Sequence, residues 1–312
     1  MSIKIKQPGA VDGFYQIKVK RNAGKLNEFI EDCGVSANLL TDGFFSRWLS
    51  ASLSPIGWRF FVGSGTTPPA NSNTQLQTQI GNASGMATVT PNGVVKEGDD
   101  YFSSSTGVAE WTTGAIVGNI SEIGGNLRNE TSGGALDTRA LVVDGAGDPT
   151  TITLTSEDQL VVSYTLRYRI PTTQHSSTVD FDDVTTQCTL ETLGVYNNSH
   201  WGISELFRLG GAFALATSVR ISAAAGLRND VEFEGNIGSS AQCDHSVSST
   251  GSARRVSVTA AASQLNGVGD IKYLGLNTIG GFSRQGIMFD PPLNKTNTKP
   301  LTLHFDYTLT RG

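Results

Sequence analysis

The chain has 312 residues, 38% of them apolar, which is enough for a large core, yet only 16% are charged against roughly 25% in an average soluble domain. With a net charge of -5 and 23 Lys and Arg residues scattered rather than clustered, it lacks the basic footprint of a nucleic-acid binder, and no direct nucleic-acid contact is expected. The amino-terminal "MSIKIKQPGAVDG" has no apolar secretory region and no later stretch approaches the ~18 apolar residues of a membrane span, so cytosolic synthesis without membrane insertion is expected.

In chain order, "GFYQIKVK" (13–20) alternates, with Tyr15, Ile17 and Val19 on one side of a strand. "NLLTDGFFSRWLSASL" predicts a helix near 37-52, because Leu40, Phe44, Trp48 and Ala51 recur at helical spacing, although Gly43 weakens it. A short strand then places Trp58, Phe60 and Val62 together before the chain enters the loop "VGSGTTPPANS". From Met86 onward the pattern is short β-prone pieces separated by turn clusters such as Pro-Asn-Gly and Gly-Asp-Asp. "LVVSYTLRYRI" puts Leu160, Val162, Tyr164, Leu166, Tyr168 and Ile170 on one face; "LTLHFDYTLTRG" does the same with Leu303, Phe305, Tyr307 and Leu309. Between them "SVRISAAAGLR", "RRVSVTAAAS" and "IKYLGL" are β-prone, and "GISELFRLGGAF" predicts a second short helix.

The two long alternating strands share their surroundings. Each follows an arginine (Arg139, Arg284), a short apolar strand ending at Asp144 or Asp290, and a Pro-containing, Thr-rich loop. The simplest account is a β-hairpin-like module used twice, by duplication or by convergence on one sandwich edge; the alternative is chance, since Tyr-Thr-Leu suits any strand. The expected fold is therefore all-β, with two similar β-sandwich-like halves, 1–170 and 171–312, and one or two short helices; "RIPTTQHSS" supplies the break, and the alternative that fits the same pattern is a single domain with strands exchanged between the halves.

Signatures of chemistry are missing. Asp99 with Asp100, Glu157 with Asp158, and Asp180 with Asp182 and Asp183 stand in turn-like or strand-edge contexts where acids contact water or backbone N–H groups. No GxSxG elbow accompanies the four histidines, and "AQCDH" offers a metal no further local ligands. The three cysteines, far apart in no CxxC pairing, read as small buried side chains. "VGSGTTPPANS" lacks the Lys-Ser or Lys-Thr ending of a phosphate loop and puts Pro68 and Pro69 where a helix would start. It reads instead as a stiff, sparsely charged loop, either for docking on a neighbouring chain or as a merely structural surface loop. No enzyme activity, cofactor or metal is expected.

Taken in order, "NLLTDGFFSRW", "FVGSGTTPPANSNTQL", "ISEIGG", "TRALVVDGAGDPTTITLTSEDQLVVSYTLR" and "FDPPLNKTNTKPLTLHFDYTLTRG" resemble tail-associated virion structural proteins of tailed bacteriophages. The resemblance implies a structural subunit of the virion, in a tail, fibre, collar or baseplate, with no catalytic residues. Its implied partners are copies of itself, in threefold or sixfold symmetry, and adjacent virion proteins. A low charge content suits such subunits, since fewer charges are desolvated on assembly. The competing expectation is a receptor-recognition tail protein that binds a host surface glycan or pilus; Trp111 and Trp201, in loop-like contexts, are its candidate contacts. A polysaccharide-cleaving tailspike would need a solenoid period, and none is visible.

Overall fold

The computed structural model describes residues 2–49, 57–98, 100–127, 136–171, 175–181, 184–194, 219–224, 239–250, 253–263, 270–277, 284–294 and 300–312. The amino-terminal elements are β1 (Ser2–Arg21), β2 (Phe29–Ala37), β3 (Leu39–Leu40), α1 (Asp42–Leu49), β4 (Arg59–Gly63), β5 (Gln79–Ile80), β6 (Thr88–Glu97), β7 (Asp100–Glu110), β8 (Gly118–Ile120), β9 (Glu122–Asn126), β10 (Thr138–Leu141), β11 (Ile152–Leu154) and β12 (Gln159–Pro171). They are followed by β13 (His175–Phe181), β14 (Val184–Gly194), β15 (Val219–Ala224), β16 (Ser239–Thr250), β17 (Ala253–Ala260), β18 (Asp270–Asn277), β19 (Arg284–Asn294) and β20 (Leu301–Arg311). The fold is all-β, and α1 is the one helix among the described residues.

Thirteen strands form one sheet in the order β13-β14-β19-β18-β15-β16-β17-β20-β1-β12-β7-β6, with β2 also on β1. β1 is its hub. One edge of β1 carries β20 along Ser2–Val11 and then β2 along Phe14–Arg21; the other carries β12 along Ala10–Lys20. The β1–β20 pair is parallel, whereas the other ladders of this sheet are antiparallel. Strands from both sides of residue 170 thus share one continuous sheet.

The alternation read from the sequence decides which face is buried. Tyr15, Ile17 and Val19 of β1 and Leu160, Val162, Tyr164 and Leu166 of β12 are at most 1% exposed, and they pack against a second sheet, β3-β10-β9-β4-β5. That sheet contributes Phe60, Val62, Ile123 and Ala140, and α1 contributes Phe44 and Trp48. Burying each large apolar side chain is worth roughly 1.5–3 kcal/mol. Where β1, β12 and β7 adjoin, the opposite face carries polar pairs among apolar residues such as Phe14 and Val108: Thr106 and Thr165 bond across β7 and β12 at 2.8 Å, and Arg167 takes Asp12 at 3.0 and 3.1 Å while lying 4.6 Å from the Phe102 ring centre. This is the one-sided sheet that alternation encodes.

Three expectations need correction. The repeated module is not a hairpin: β10 lies in the five-stranded sheet while β12 lies in the large one, and β19 pairs with β14 and β18 but not with β20. What β12 and β20 share is a neighbour, since both pair with β1. Alternation fixes the buried face of a strand but not its partner, which is why the sequence repeat misleads here. Secondly, Pro91-Asn92-Gly93 is not a turn. It is a bulge inside β6, an outer strand of the sheet, where a proline costs no ladder bond. Thirdly, the helix is shorter than the spacing predicts: Leu40 belongs to β3, and α1 begins after Thr41, whose hydroxyl accepts from the Phe44 N–H at 3.4 Å as an N-cap. Ala51, the second predicted helix and Ile170's side chain lie outside the described residues.

Candidate functional site: an exposed loop seated on Glu122 and Arg139

The segment between β4 and β5, residues 64–78, contains no charged residue and is mostly exposed. Two buried charges hold it. β9 lies between β4 and β10, with Glu122 opposite both Gly63 and Leu141 and Arg139 opposite Gly124, so Glu122 and Arg139 come from adjacent strands within reach of the loop's base. They are 0% and 2% exposed and meet at 2.8 and 3.0 Å.

Every polar atom of the pair is used. Glu122 Oε1 accepts the N–H groups of Thr78 at 2.7 Å and Gly65 at 3.1 Å, and Oε2 accepts the Gln77 N–H at 3.0 Å besides Arg139. Arg139 donates from Nη2 to the Thr67 carbonyl at 2.9 Å, and from Nη1 to Asn73 Oδ1 at 2.8 Å and the Pro68 carbonyl at 3.4 Å. All five guanidinium N–H donors are thereby engaged, two on the carboxylate and three on the loop. Burial alone would push the Glu122 carboxyl up, but the Thr78 and Gln77 N–H groups and the Arg139 guanidinium outweigh it and hold the group below the usual carboxylate range.

The loop's own residues complete the seat. Gln77 Oε1 accepts the N–H groups of Thr66 and Thr67, both at 2.9 Å, and Asn73 Oδ1 accepts that of Ala70 at 2.7 Å. Leu76 is buried with Phe61 and Leu136. Gly63 and Gly65 are required by close approach, because a Cβ on either would run into the Glu122 side chain. The glycines of "VGSG" therefore make room for a carboxylate. A neighbouring pair, Arg47 and Asp137, ties α1 to the start of β10, and Asp137 also accepts the Leu127 N–H at 2.7 Å.

Of the residues singled out from the sequence, Pro68 is exposed and Pro69 half-buried on this loop. Trp111 is a correction. It is 5% exposed in the main core, with its indole N–H donating to the Asn82 carbonyl at 3.0 Å, because the chain leaving β7 folds inward instead of crossing the surface. Trp201 lies outside the described residues. Asp158 does what its turn context predicts: it accepts from the Thr155 N–H and hydroxyl at 2.8 and 2.9 Å and from Arg21 at 2.9 Å. Burial would raise it, but these bonds lower its carboxyl below the usual range. Cys33 is a free, half-buried thiol that burial pushes up to about 11. Among the described residues, no group of three or more His, Cys, Asp or Glu side chains could hold a metal ion, and no helix is long and apolar enough to cross a membrane.

Glu122 and Arg139 escape a reading from sequence alone. Their one signal is a lone charge of each sign inside "ISEIGG" and "TRALVV", segments otherwise without a polar face. Compared with known proteins, the chain matches no family model, no curated protein and no solved structure.

Proposed function

We propose that this chain is a structural subunit of a bacteriophage virion, in the tail apparatus, that acts by assembling with copies of itself and with neighbouring virion proteins. The observation that carries the reading is the use made of Glu122 and Arg139. A buried ion pair is costly to desolvate, and here the hydrogen-bonding capacity that the two groups do not spend on each other goes to a charge-free, mostly exposed loop. Such an arrangement presents a fixed shape. A pre-ordered loop loses little freedom when a neighbour docks, which favours assembly.

The ordered motifs that resemble tail-associated proteins support the same reading, and a threefold or sixfold ring is the arrangement proposed. The receptor-recognition alternative draws no support from Trp111, whose ring is in the core. Quantitative mass spectrometry of purified phage particles from a host that expresses the chain tests the proposal. Many copies per particle are expected, and absence from particles overturns it. Light scattering on the purified chain should give a trimer or hexamer.

A further inference from the structure

Two outer strands, β2 and β6, each carry a bulge, but only β6 also carries a proline. β6 carries Pro91 and a bulge, devices that keep an outer strand from pairing with another chain. β2 pairs only with β1 among the described residues. Its second half lies against residues 143–144: the Val143 N–H donates to Ser36 Oγ at 3.2 Å, and a Cβ on Gly34 would stand 3.2 Å from the Val143 carbonyl. Among the described residues, Phe29 to Cys33 remain as an open run without proline. Beside the exposed acids Glu31 and Asp32 it shows apolar side chains to solvent, for Phe29 is 57% and Ile30 63% exposed, and Leu26 in the preceding turn is fully so.

Charge selects the occupant. Glu28, Glu31 and Asp32 are all acidic. Arg21 meets Glu31 at 2.6 Å, but Asp32 accepts from Gln16 and the Gly34 N–H, and Glu28 from the Gly24 N–H; neither makes an ion pair among the described residues, although Lys18 stands opposite Asp32 on the β1 side. A second copy pairing antiparallel about a twofold axis must set one residue against itself. Centred on Ile30, that sets Glu28 against the other copy's Asp32; centred on Glu31 or Asp32, it sets an acid against itself; centred on Phe29 or Cys33, it carries half of the paired stretch out of the open run, into the turn at Leu26 and Asn27 or into the half of β2 that lies against residues 143–144. Like charges directly opposite are destabilising.

We infer that the Phe29–Cys33 edge of β2 is a strand-addition site for an extended segment of a different protein, one with an apolar side chain opposite Ile30 flanked by Lys or Arg opposite Glu28 and Asp32. Main-chain bonds to the open edge supply affinity and the flanking cations supply selectivity. The inference goes beyond the virion reading and uses none of the residues around Glu122 and Arg139, so either can fail alone.

Fluorescence anisotropy of the full chain with the synthetic peptide TVKKIVKT and its counterpart TVEEIVET tests it. The lysine peptide saturates and the glutamate peptide does not; Glu28→Lys with Asp32→Lys reverses that preference. Ile30→Glu, at an exposed position, weakens the lysine peptide about tenfold or more, the loss of roughly 1.4 kcal/mol that a tenfold change represents. Its thermal midpoint, measured in parallel, stays unchanged. No binding, equal binding of both peptides, or binding indifferent to Ile30→Glu overturns the inference. So does a dimer at neutral pH that Ile30→Glu dissolves, since the occupant would then be a second copy.

Discussion

Tyr15 and Tyr164 stand directly opposite each other on β1 and β12, with ring centres 4.6 Å apart, planes inclined at 40° and no exposure to solvent. Phe60 meets Tyr15 edge-on at 5.8 Å and Trp58 meets Tyr164 at 5.7 Å, so four rings join the large sheet to the chain segment entering the smaller one. Tyr164→Ala should lower stability by about 3–5 kcal/mol through the cavity it leaves. Tyr15→Phe, which removes only a hydroxyl bonded to Thr138 Oγ1, should cost about 1 kcal/mol. Urea midpoints of the two variants give the comparison.

The same rings set an alkaline limit. Burial pushes the phenols of Tyr15, Tyr164 and Tyr168 upward, so the folded chain keeps protons that the unfolded chain releases near pH 10. Above that pH the unfolded state binds fewer protons than the native one, and stability falls as pH rises. Because the Cys33 thiol is also held up, to about 11, unfolding free energy should begin to decline above about pH 8.5 and fall more steeply beyond about pH 10, where the phenols join it, less so in Tyr15→Phe.

At the other end of the scale, Glu122 has its carboxyl held low in the fold. Its contribution is complete above the unfolded value of roughly 4.3 and is lost as pH falls through the folded value. Arg139→Ala should cost about 3–5 kcal/mol at neutral pH, because it leaves a buried carboxylate without its cation. The double variant Glu122→Gln, Arg139→Met should lose less than the two single changes added together. Protease nicking within 64–78 should rise in each single variant, and an unchanged cleavage rate would separate the loop from the ion pair.

Gly65→Ala should loosen the same loop without touching a charge, since its methyl would collide with Glu122 and with Gln77 Cβ. Overpacking of this kind costs about 1–3 kcal/mol. Gly145→Ala, where an added Cβ meets nothing within 4 Å, is the matched control and should leave the thermal midpoint in place.

Trp111 and Pro68 should behave as opposites. Trp111→Ala opens the core and should cost about 3–5 kcal/mol, so any lost binding would accompany unfolding. Pro68→Ala, at an exposed position, should change stability by less than about 0.5 kcal/mol while lowering assembly measured by light scattering.

Faces were legible in the sequence; partners were not. Tyr15, Ile17 and Val19, Leu160 to Tyr168, and Trp58, Phe60 and Val62 are buried as their alternation predicts, because side-chain direction follows from strand geometry alone. The union of β12 and β20 with β1 depends on which edges remain unpaired after every other strand has been placed, and no local pattern encodes that. The loop with Pro68 could be seen, but its support could not. Glu122 and Arg139 are 17 residues apart in sequence, and only the strand register sets them together. Trp111 was misplaced for a related reason, since a loop-like composition says nothing about whether the ring turns inward.

The parallel β1–β20 ladder sets Ser2 beside Thr302, its partner three hundred residues later. At ribosomal rates of about 5–20 residues per second, that edge of the first strand waits on the order of 15–60 s for its mate. Nascent chains must cross this interval with a bare flank, so chaperone shielding during synthesis should govern the yield of native protein.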